Sequence, residues 1–197
     1  MTSYEVKVIS GEFCPDITEF VADVFYNRSN YRFPESFAAA LNIMLAEDKL
    51  YAESSTIVCV YNADGQLCCT ARFIHKKGDL LLPFEKEFNI DLNYFNQNQK
   101  NIVELARLAS SKEGSLKALN VLIHTLYDQL ADKESLIVAG FEKILYRTFK
   151  AAGFSFYSLG LEKPCLGTSV MPLGIRFSDW NRINLSATEK SYLKAYT

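Results

Sequence analysis

Three charged side chains sit where charge is expensive. Arg72 lies in LCCTARFI, and Glu104 and Arg107 lie in VELARLA, two stretches that otherwise read as apolar strands. An unpaired charge buried in such a strand is strongly unfavourable, so these residues form an ion-pair network or serve a reaction. A carboxylate such as Glu104 can act as a general base. Glu104 and Arg107 are three positions apart, so on a flat strand they face opposite ways. Either a bulge brings them together, or one serves a site and the other the core edge.

Other chemistries find less support. Cys14, Cys59, Cys68, Cys69 and Cys165 are odd in number and contain no C-x-x-C pair. With His75 and His124 as the only histidines, no metal site is expected and the cysteines read as buried, reduced thiols. His124 falls on the polar face of its helix. His75 stands beside Lys76 and Lys77 at a strand end and is expected at the surface. A Ser/His/Asp arrangement has no local support. Lys143, Arg147 and Lys150 recur at helical spacing opposite an apolar face, an arrangement usually left to solvent.

The elements that must position these residues follow from periodicity. Tyr4–Ile9 alternate as a strand. Asp16 and Glu19 have capping-box spacing, and Ile17, Phe20, Val21, Val24 and Phe25 form one helical stripe. Phe37, Leu41, Met44 and Leu45 repeat that pattern after Pro34. Thr56–Tyr61 and Gln66–His75 flank the turn Asn62-Ala-Asp-Gly65 as a β-hairpin. LLLPFEKEFNIDL, broken by Pro83, reads as a strand end with an irregular or short helical insertion, and Ile102–Ser110 as a further strand.

The second half alternates. Leu116, Leu119, Ile123, Leu126, Tyr127 and Leu130 line a long helix before a buried strand at Leu136–Ala139. The next helix is expected over 141–152, with Gly153 as its left-handed cap. Strands at Phe154–Gly160 and Thr168–Phe177 close the sheet. Ser186 and Glu189 then suggest a short surface helix. An antiparallel-rich beginning followed by a βαβ unit is a mixed α/β arrangement, and no Rossmann glycine fingerprint is present.

Composition agrees with one domain over residues 1–197, with a core of about 4–177 and a surface tail at 178–197. Hydrophobic residues make up 49% and charged ones 22% of the 197 residues, an ordinary globular balance. No apolar run is long enough for a spanning helix, and MTSYEVKVIS lacks a secretory layout, so a cytoplasmic protein is expected. A net charge of −2 argues against nucleic acid as a partner. Of the 14 Phe and 11 Tyr, Phe13, Phe20, Phe25, Tyr26, Tyr31, Phe33 and Phe37 crowd the first helices, where they build core or wall an elongated apolar pocket.

Strand–helix–helix–hairpin, then ELARLAS opening into a helix, then LYRTFKAAGF before a strand, resembles the GNAT-type N-acyltransferases from about Val6 to Phe177. The resemblance implies a three-layer fold: a mixed, mostly antiparallel sheet with helices on both faces. It also implies that the strand carrying Leu108, Ala109 and Ser110 splays from its neighbour and pairs with the pantetheine arm of a thioester. Lys112, Gly114 and Ser115 would then face the donor's phosphates. The order LCCTARFI, LPFEKEF, VELARLA is similar to the acyl-homoserine-lactone (autoinducer) synthases and the N-acyl amino acid synthases. In that layout an arginine in the hairpin, a proline–aromatic insertion and an E-x-x-R strand fall on Arg72, on Pro83 with Phe84, and on Glu104 with Arg107.

This narrower resemblance implies an acyl transfer from acyl carrier protein or coenzyme A to an amine, in which an amino acid is the expected acceptor. Glu104 would be the general base beside Arg72 and Arg107, with Arg28 and Phe84 toward substrate. Phe149 occupies the usual position of a tyrosine acid, so Tyr146, one turn earlier, is the candidate to protonate the leaving thiolate. Lys143, Arg147 and Lys150 would steer an acidic carrier protein. Two departures matter. The loop Q/R-x-x-G-x-G/A is replaced by Ser110-Ser-Lys-Glu-Gly-Ser115, which favours a carrier-protein donor. The aspartate pair of the homoserine-lactone branch reads Asp48 and Tyr51, which counts against S-adenosylmethionine. The competing expectations are a short-chain acetyl-CoA acetyltransferase and a GNAT-shaped binding module without turnover.

Overall fold

The computed structural model describes residues 4–27, 35–94, 101–111, 114, 116–130, 135–151, 153–165 and 168–177. Its strands are β1 (Glu5–Ser10), β2 (Ser55–Tyr61), β3 (Leu67–His75), β4 (Asn101–Ser110), β5 (Ser135–Glu142), β6 (Tyr157–Ser158), β7 (Lys163–Cys165) and β8 (Thr168–Arg176). Its helices are α1 (Pro15–Asn27), α2 (Phe37–Leu50), α3 (Pro83–Phe88), α4 (Leu116–Gln129) and α5 (Lys143–Ala151). The eight strands form one mixed, mostly antiparallel sheet in the order β1-β2-β3-β4-β5-β8-β6, with β7 paired to β8. This is the expected α+β class. The chain forms two compact units, residues 1–74 with 105–129 and 166–168, and residues 75–104 with 130–165 and 169–197.

In the first unit β2 pairs antiparallel with both β1 and β3, from Glu5↔Tyr61 to Ser10↔Thr56 and from Ser55↔Ile74 to Tyr61↔Leu67. The hairpin turns because the Asn62 side-chain oxygen accepts the Asp64 and Gln66 amides, while Gly65 takes a positive φ. Helix α2 starts at Ser36, whose hydroxyl accepts the Ala39 amide. Helix α1 begins at Pro15, so Asp16 lies inside the first turn and is not the cap that its spacing with Glu19 suggested. α1 packs on α2, and α4 packs on β2. Cys59, Cys68 and Cys69 are fully buried in this core, so the adjacent pair is covered on both faces.

In the second unit β4 and β5 run parallel from Asn101↔Ser135 to Glu104↔Val138, and β5 pairs antiparallel with β8 from Leu136↔Arg176 to Glu142↔Val170. That second ladder carries β5 through Phe141, which the helical pattern had assigned to the next helix; α5 begins only at Lys143. Gly153 closes α5 with φ 99°, and the Phe154 amide reaches back to the Phe149 carbonyl. The strand expected over Phe154–Gly160 shortens to Tyr157–Ser158, and β7 was not foreseen. The insertion around Pro83 is helical, with Pro83 at its first turn. The expected terminal helix at Ser186 and Glu189 lies outside the described residues. Among the described residues, no helix is long and apolar enough to cross a membrane.

Candidate active site

Asp48 is the centre of a charged cluster in the first unit. Arg72, from β3, places its guanidinium 2.8 Å from Asp48 Oδ1. Arg107, from β4, donates through Nε to the same oxygen at 3.1 Å and through its terminal nitrogen to Glu47 at 2.9 Å. The buried Thr18 hydroxyl donates to Asp48 Oδ2 at 2.7 Å. Two cations thus meet two carboxylates, and both oxygens of Asp48 are engaged. That arrangement offsets the cost of burying the Arg72 guanidinium, which is 3% exposed.

The sequence put Asp48 there by a legible route. It lies four positions after Met44 and seven after Leu41, so it continues the buried stripe of α2, whereas Leu50 and Ile43 point outward. Arg107 reaches it through a backbone departure, with φ 56°, the left-handed region that a non-glycine residue enters at a cost of about 1 kcal/mol. β4 is therefore not flat at Arg107.

A cleft in this unit is lined by Cys14, Thr18, Asp48, Thr70, Arg72 and Arg107. The Cys14 thiol is raised first by burial, then by Glu12 and Asp16, which opposes thiolate chemistry there. Ala109 is buried against Val21, Ala22 and Met44. Leu108 and Ser110 are half-buried. The loop after β4 closes on itself: the Ser111 amide donates to the Cys68 carbonyl and the Gly114 amide to the Ser111 carbonyl. A side chain at Gly114 would meet the Ser110 hydroxyl and come within 2.8 Å of the Cys68 carbonyl, so the loop's compactness requires glycine here. Lys112, Ser115 and Arg28 lie outside the described residues.

In the second unit Glu104 is buried, and its Oε2 accepts the Phe84 amide at 3.0 Å. Phe84 is itself buried and packs against Phe88, ring centroids 5.0 Å apart. A second carboxylate, Glu85, holds the same helix: it accepts the Leu82 and Leu92 amides and binds the Lys76 ammonium at 2.6 Å. Glu104 and Glu85 together fix α3 at its N-terminus, where the helix dipole favours negative charge. Sequence reasoning passed over Thr18, Glu47, Lys76 and Glu85. Only Glu85 carried a local signal, the proline-then-acid spacing of a helix start.

On α5, Lys143, Arg147 and Lys150 are exposed and Tyr146 is half-buried. The Tyr146 hydroxyl receives a hydrogen bond from Lys150 at 3.2 Å, and its ring lies 5.3 Å from that of Phe156. Phe149 is buried against Phe141 and Phe154, which accounts for a phenylalanine at that position. His75 is half-buried, contrary to its expected exposure. Among the described residues, no group of three His, Cys, Asp or Glu side chains is placed to hold a metal.

The structure of the N-acyl amino acid synthase FeeM from uncultured soil microbes matches with a TM-score of 0.68, covering 95% of this chain and 98% of that one at 16% identity. The acyl-homoserine-lactone synthase LasI matches with a TM-score of 0.61, covering 90% and 92% at 14% identity. The CoA-dependent acyl-homoserine lactone synthase MesI matches with a TM-score of 0.58, covering 95% of each chain at 13% identity. These likenesses show the fold. No curated protein matches the sequence. The sequence profile of the N-acyl amino acid synthase FeeM matches residues 17–139, the stretch that runs from α1 to β5 and holds Asp48, Arg72, Glu85, Glu104 and Arg107. The chain belongs to the FeeM family of N-acyl amino acid synthases.

Proposed function

We propose that this N-acyltransferase joins an acyl group from a phosphopantetheine thioester to the amino group of an amino acid. The amine nitrogen attacks the thioester carbonyl, the C–N bond forms, the C–S bond breaks and the thiol leaves. Glu104 takes the proton released from the amine. The observation that carries this reading is the position of Glu104, a buried carboxylate at the last parallel rung between β4 and β5 in a chain of this family. Beyond that rung, the amides of Leu108, Ala109 and Ser110 are the proposed partners of the pantetheine arm and of the carbonyl oxygen as it gains charge. Arg72 and Arg107 hold the acceptor side of the site through Asp48, Phe84 and Arg28 contact substrate, and Tyr146 protonates the leaving thiolate.

Acyl carrier protein is the proposed donor. The Ser111 amide is taken by the Cys68 carbonyl of β3 and the Gly114 amide by the Ser111 carbonyl, which supports a pantetheine tethered to protein over one that needs a nucleotide cradle at Lys112, Gly114 and Ser115. Exposed Lys143, Arg147 and Lys150 support the same choice, because carrier proteins are acidic. The five free cysteines are consistent with a reducing, cytoplasmic setting. Residues 1–197 act as one acyltransferase domain. Incubating the purified protein with acyl-carrier protein or acyl-CoA and a mixture of amino acids, followed by mass spectrometry, tests the proposal. An N-acyl amino acid is the expected product, and free fatty acid alone or no turnover with either donor would overturn it.

A further inference from the structure

Lys76 and Glu85 form an ion pair that the proposed reaction does not use. Their side chains are 6% and 1% exposed, and Lys76 Nζ lies 2.6 Å from Glu85 Oε2. Burying such a pair costs much of what its attraction returns, so stability alone is a weak reason for it. Both oxygens of Glu85 are already engaged. Oε1 accepts the Leu92 amide at 3.1 Å and the Lys76 ammonium at 2.8 Å, while Oε2 also accepts the Leu82 amide at 2.9 Å. Lys76 Nζ donates in addition to the Leu80 carbonyl at 3.3 Å.

These bonds close a ring through Glu104. The Lys76 amide donates to the Ile102 carbonyl at 2.9 Å, which pins the lysine to β4 two residues before Glu104. The Lys76 ammonium holds Glu85, the third residue of α3. Glu85 adjoins Phe84, whose amide donates to Glu104 Oε2 at 3.0 Å. The circuit thus leaves β4 at Ile102 and returns to it at Glu104. Helix α3 has 6 residues, too few to hold its own shape in water. The Lys76–Glu85 pair therefore sets where its first turn lies, and with it where the Phe84 amide points.

We propose that Lys76 and Glu85 are positioning residues for Glu104, an inference that rests on Glu104 as the general base. Through the Phe84 amide they fix one carboxylate oxygen, and so turn the other toward the attacking amine. Neither residue contacts substrate. A misplacement of about 1 Å at a reacting group can cost about a hundredfold in rate. Loss of the pair should thus lower kcat and leave both KM values nearly unchanged.

The test measures kcat and KM for wild type, Lys76→Met, Glu104→Gln and the double variant, with an acyl-carrier-protein donor and the amino acid that gives most product. Hydrogen exchange at the Phe84 amide is followed by NMR in wild type and in each Lys76 variant. Lys76→Met is expected to lower kcat about tenfold to a hundredfold, to change KM less than about twofold, and to speed Phe84 exchange. In the Glu104→Gln background the same change should cost less than about twofold more, because Lys76 acts through Glu104. Lys76→Gln keeps a donor for Glu85 and covers the case in which Lys76→Met does not fold; a smaller loss with the same dependence on Glu104 is expected. Losses that multiply in the double variant, an unchanged kcat, or a Phe84 amide that exchanges as before would each overturn the inference. Exchange needs no turnover, so a wild-type chain without product whose Phe84 amide loosens in Lys76→Met would overturn the acyltransferase reading alone. A Glu104→Gln enzyme as fast as wild type would overturn the role of Glu104 and this inference with it.

Discussion

Arg107 donates to Asp48 at 3.1 Å across 59 residues of sequence, and it does so from a left-handed backbone conformation inside a strand. The same carboxylate oxygen lies 2.8 Å from Arg72, so Asp48 ties α2 to both β3 and β4. Removing its charge leaves the two guanidinium groups to share Glu47, 2.9 Å from Arg107 and 4.0 Å from Arg72.

Asp48→Asn is therefore expected to lower stability by about 3 kcal/mol, the usual scale for breaking a buried pair. Thr18→Val keeps the charge and removes one hydrogen bond to it, so its cost should be nearer 1–2 kcal/mol, roughly. Urea unfolding of both variants beside the wild type gives the comparison. An Asp48→Asn protein as stable as the wild type would mean that the cluster contributes nothing to folding.

Glu104 has a structural duty as well as the proposed chemical one, and two substitutions separate them. Glutamine retains an oxygen for the Phe84 amide but cannot take up a proton at neutral pH. Glu104→Gln should slow acyl transfer by about two orders of magnitude with the melting temperature nearly unchanged. Glu104→Ala should lose the rate and also about 1 kcal/mol of stability, because the α3 N-terminus loses an acceptor. If the rate survives in Glu104→Gln, the carboxylate serves only α3.

Reversing Lys143, Arg147 and Lys150 to glutamate should slow association with acyl-carrier protein while sparing a small acyl-pantetheine donor, since rim charges act mainly on encounter. Added salt should weaken the wild-type reaction with carrier protein in the same way, with screening over about 8 Å at physiological ionic strength. Stopped-flow association with both donors reads the difference. Identical behaviour toward the two donors would remove α5 as the docking surface.

His75 gives a pH dependence with a definite sign. Its pKa is lowered from 6.5, first by burial and then by Lys77, so the folded chain resists a proton that the unfolded chain accepts. The contribution is fully present above pH 6.5 and is lost as pH falls toward the folded value. Melting temperatures from neutral to mildly acidic pH should fall less steeply in His75→Gln than in the wild type. Parallel curves would show that other groups control the acid limb.

Much of this protein was legible in its residues alone. The stripes of α1, α2 and α4, the Asn62–Gln66 turn and the Gly153 cap are local, because each depends on neighbours within a few positions. The order of the arginine, proline–aromatic and E-x-x-R stretches was legible too, and it led to the family. Where β5 ends was not. Phe141 fits a helical pattern with Leu145 and Phe149, yet it stays extended because the ladder to β8 continues to Glu142↔Val170.

The charged residues show the division most clearly. An apolar strand carrying Arg72, Glu104 or Arg107 announces that each charge must be compensated, because burial without a partner is too costly. Only the tertiary structure decides the partner. Asp48 receives both arginines because α2 is laid beside β3 and β4 and because Arg107 turns out of the extended region. Glu104 instead meets the Phe84 amide, as α3 starts over the end of the parallel β4–β5 ladder. Such pairings depend on register and on one backbone angle, and neither is encoded within the few residues around a charge.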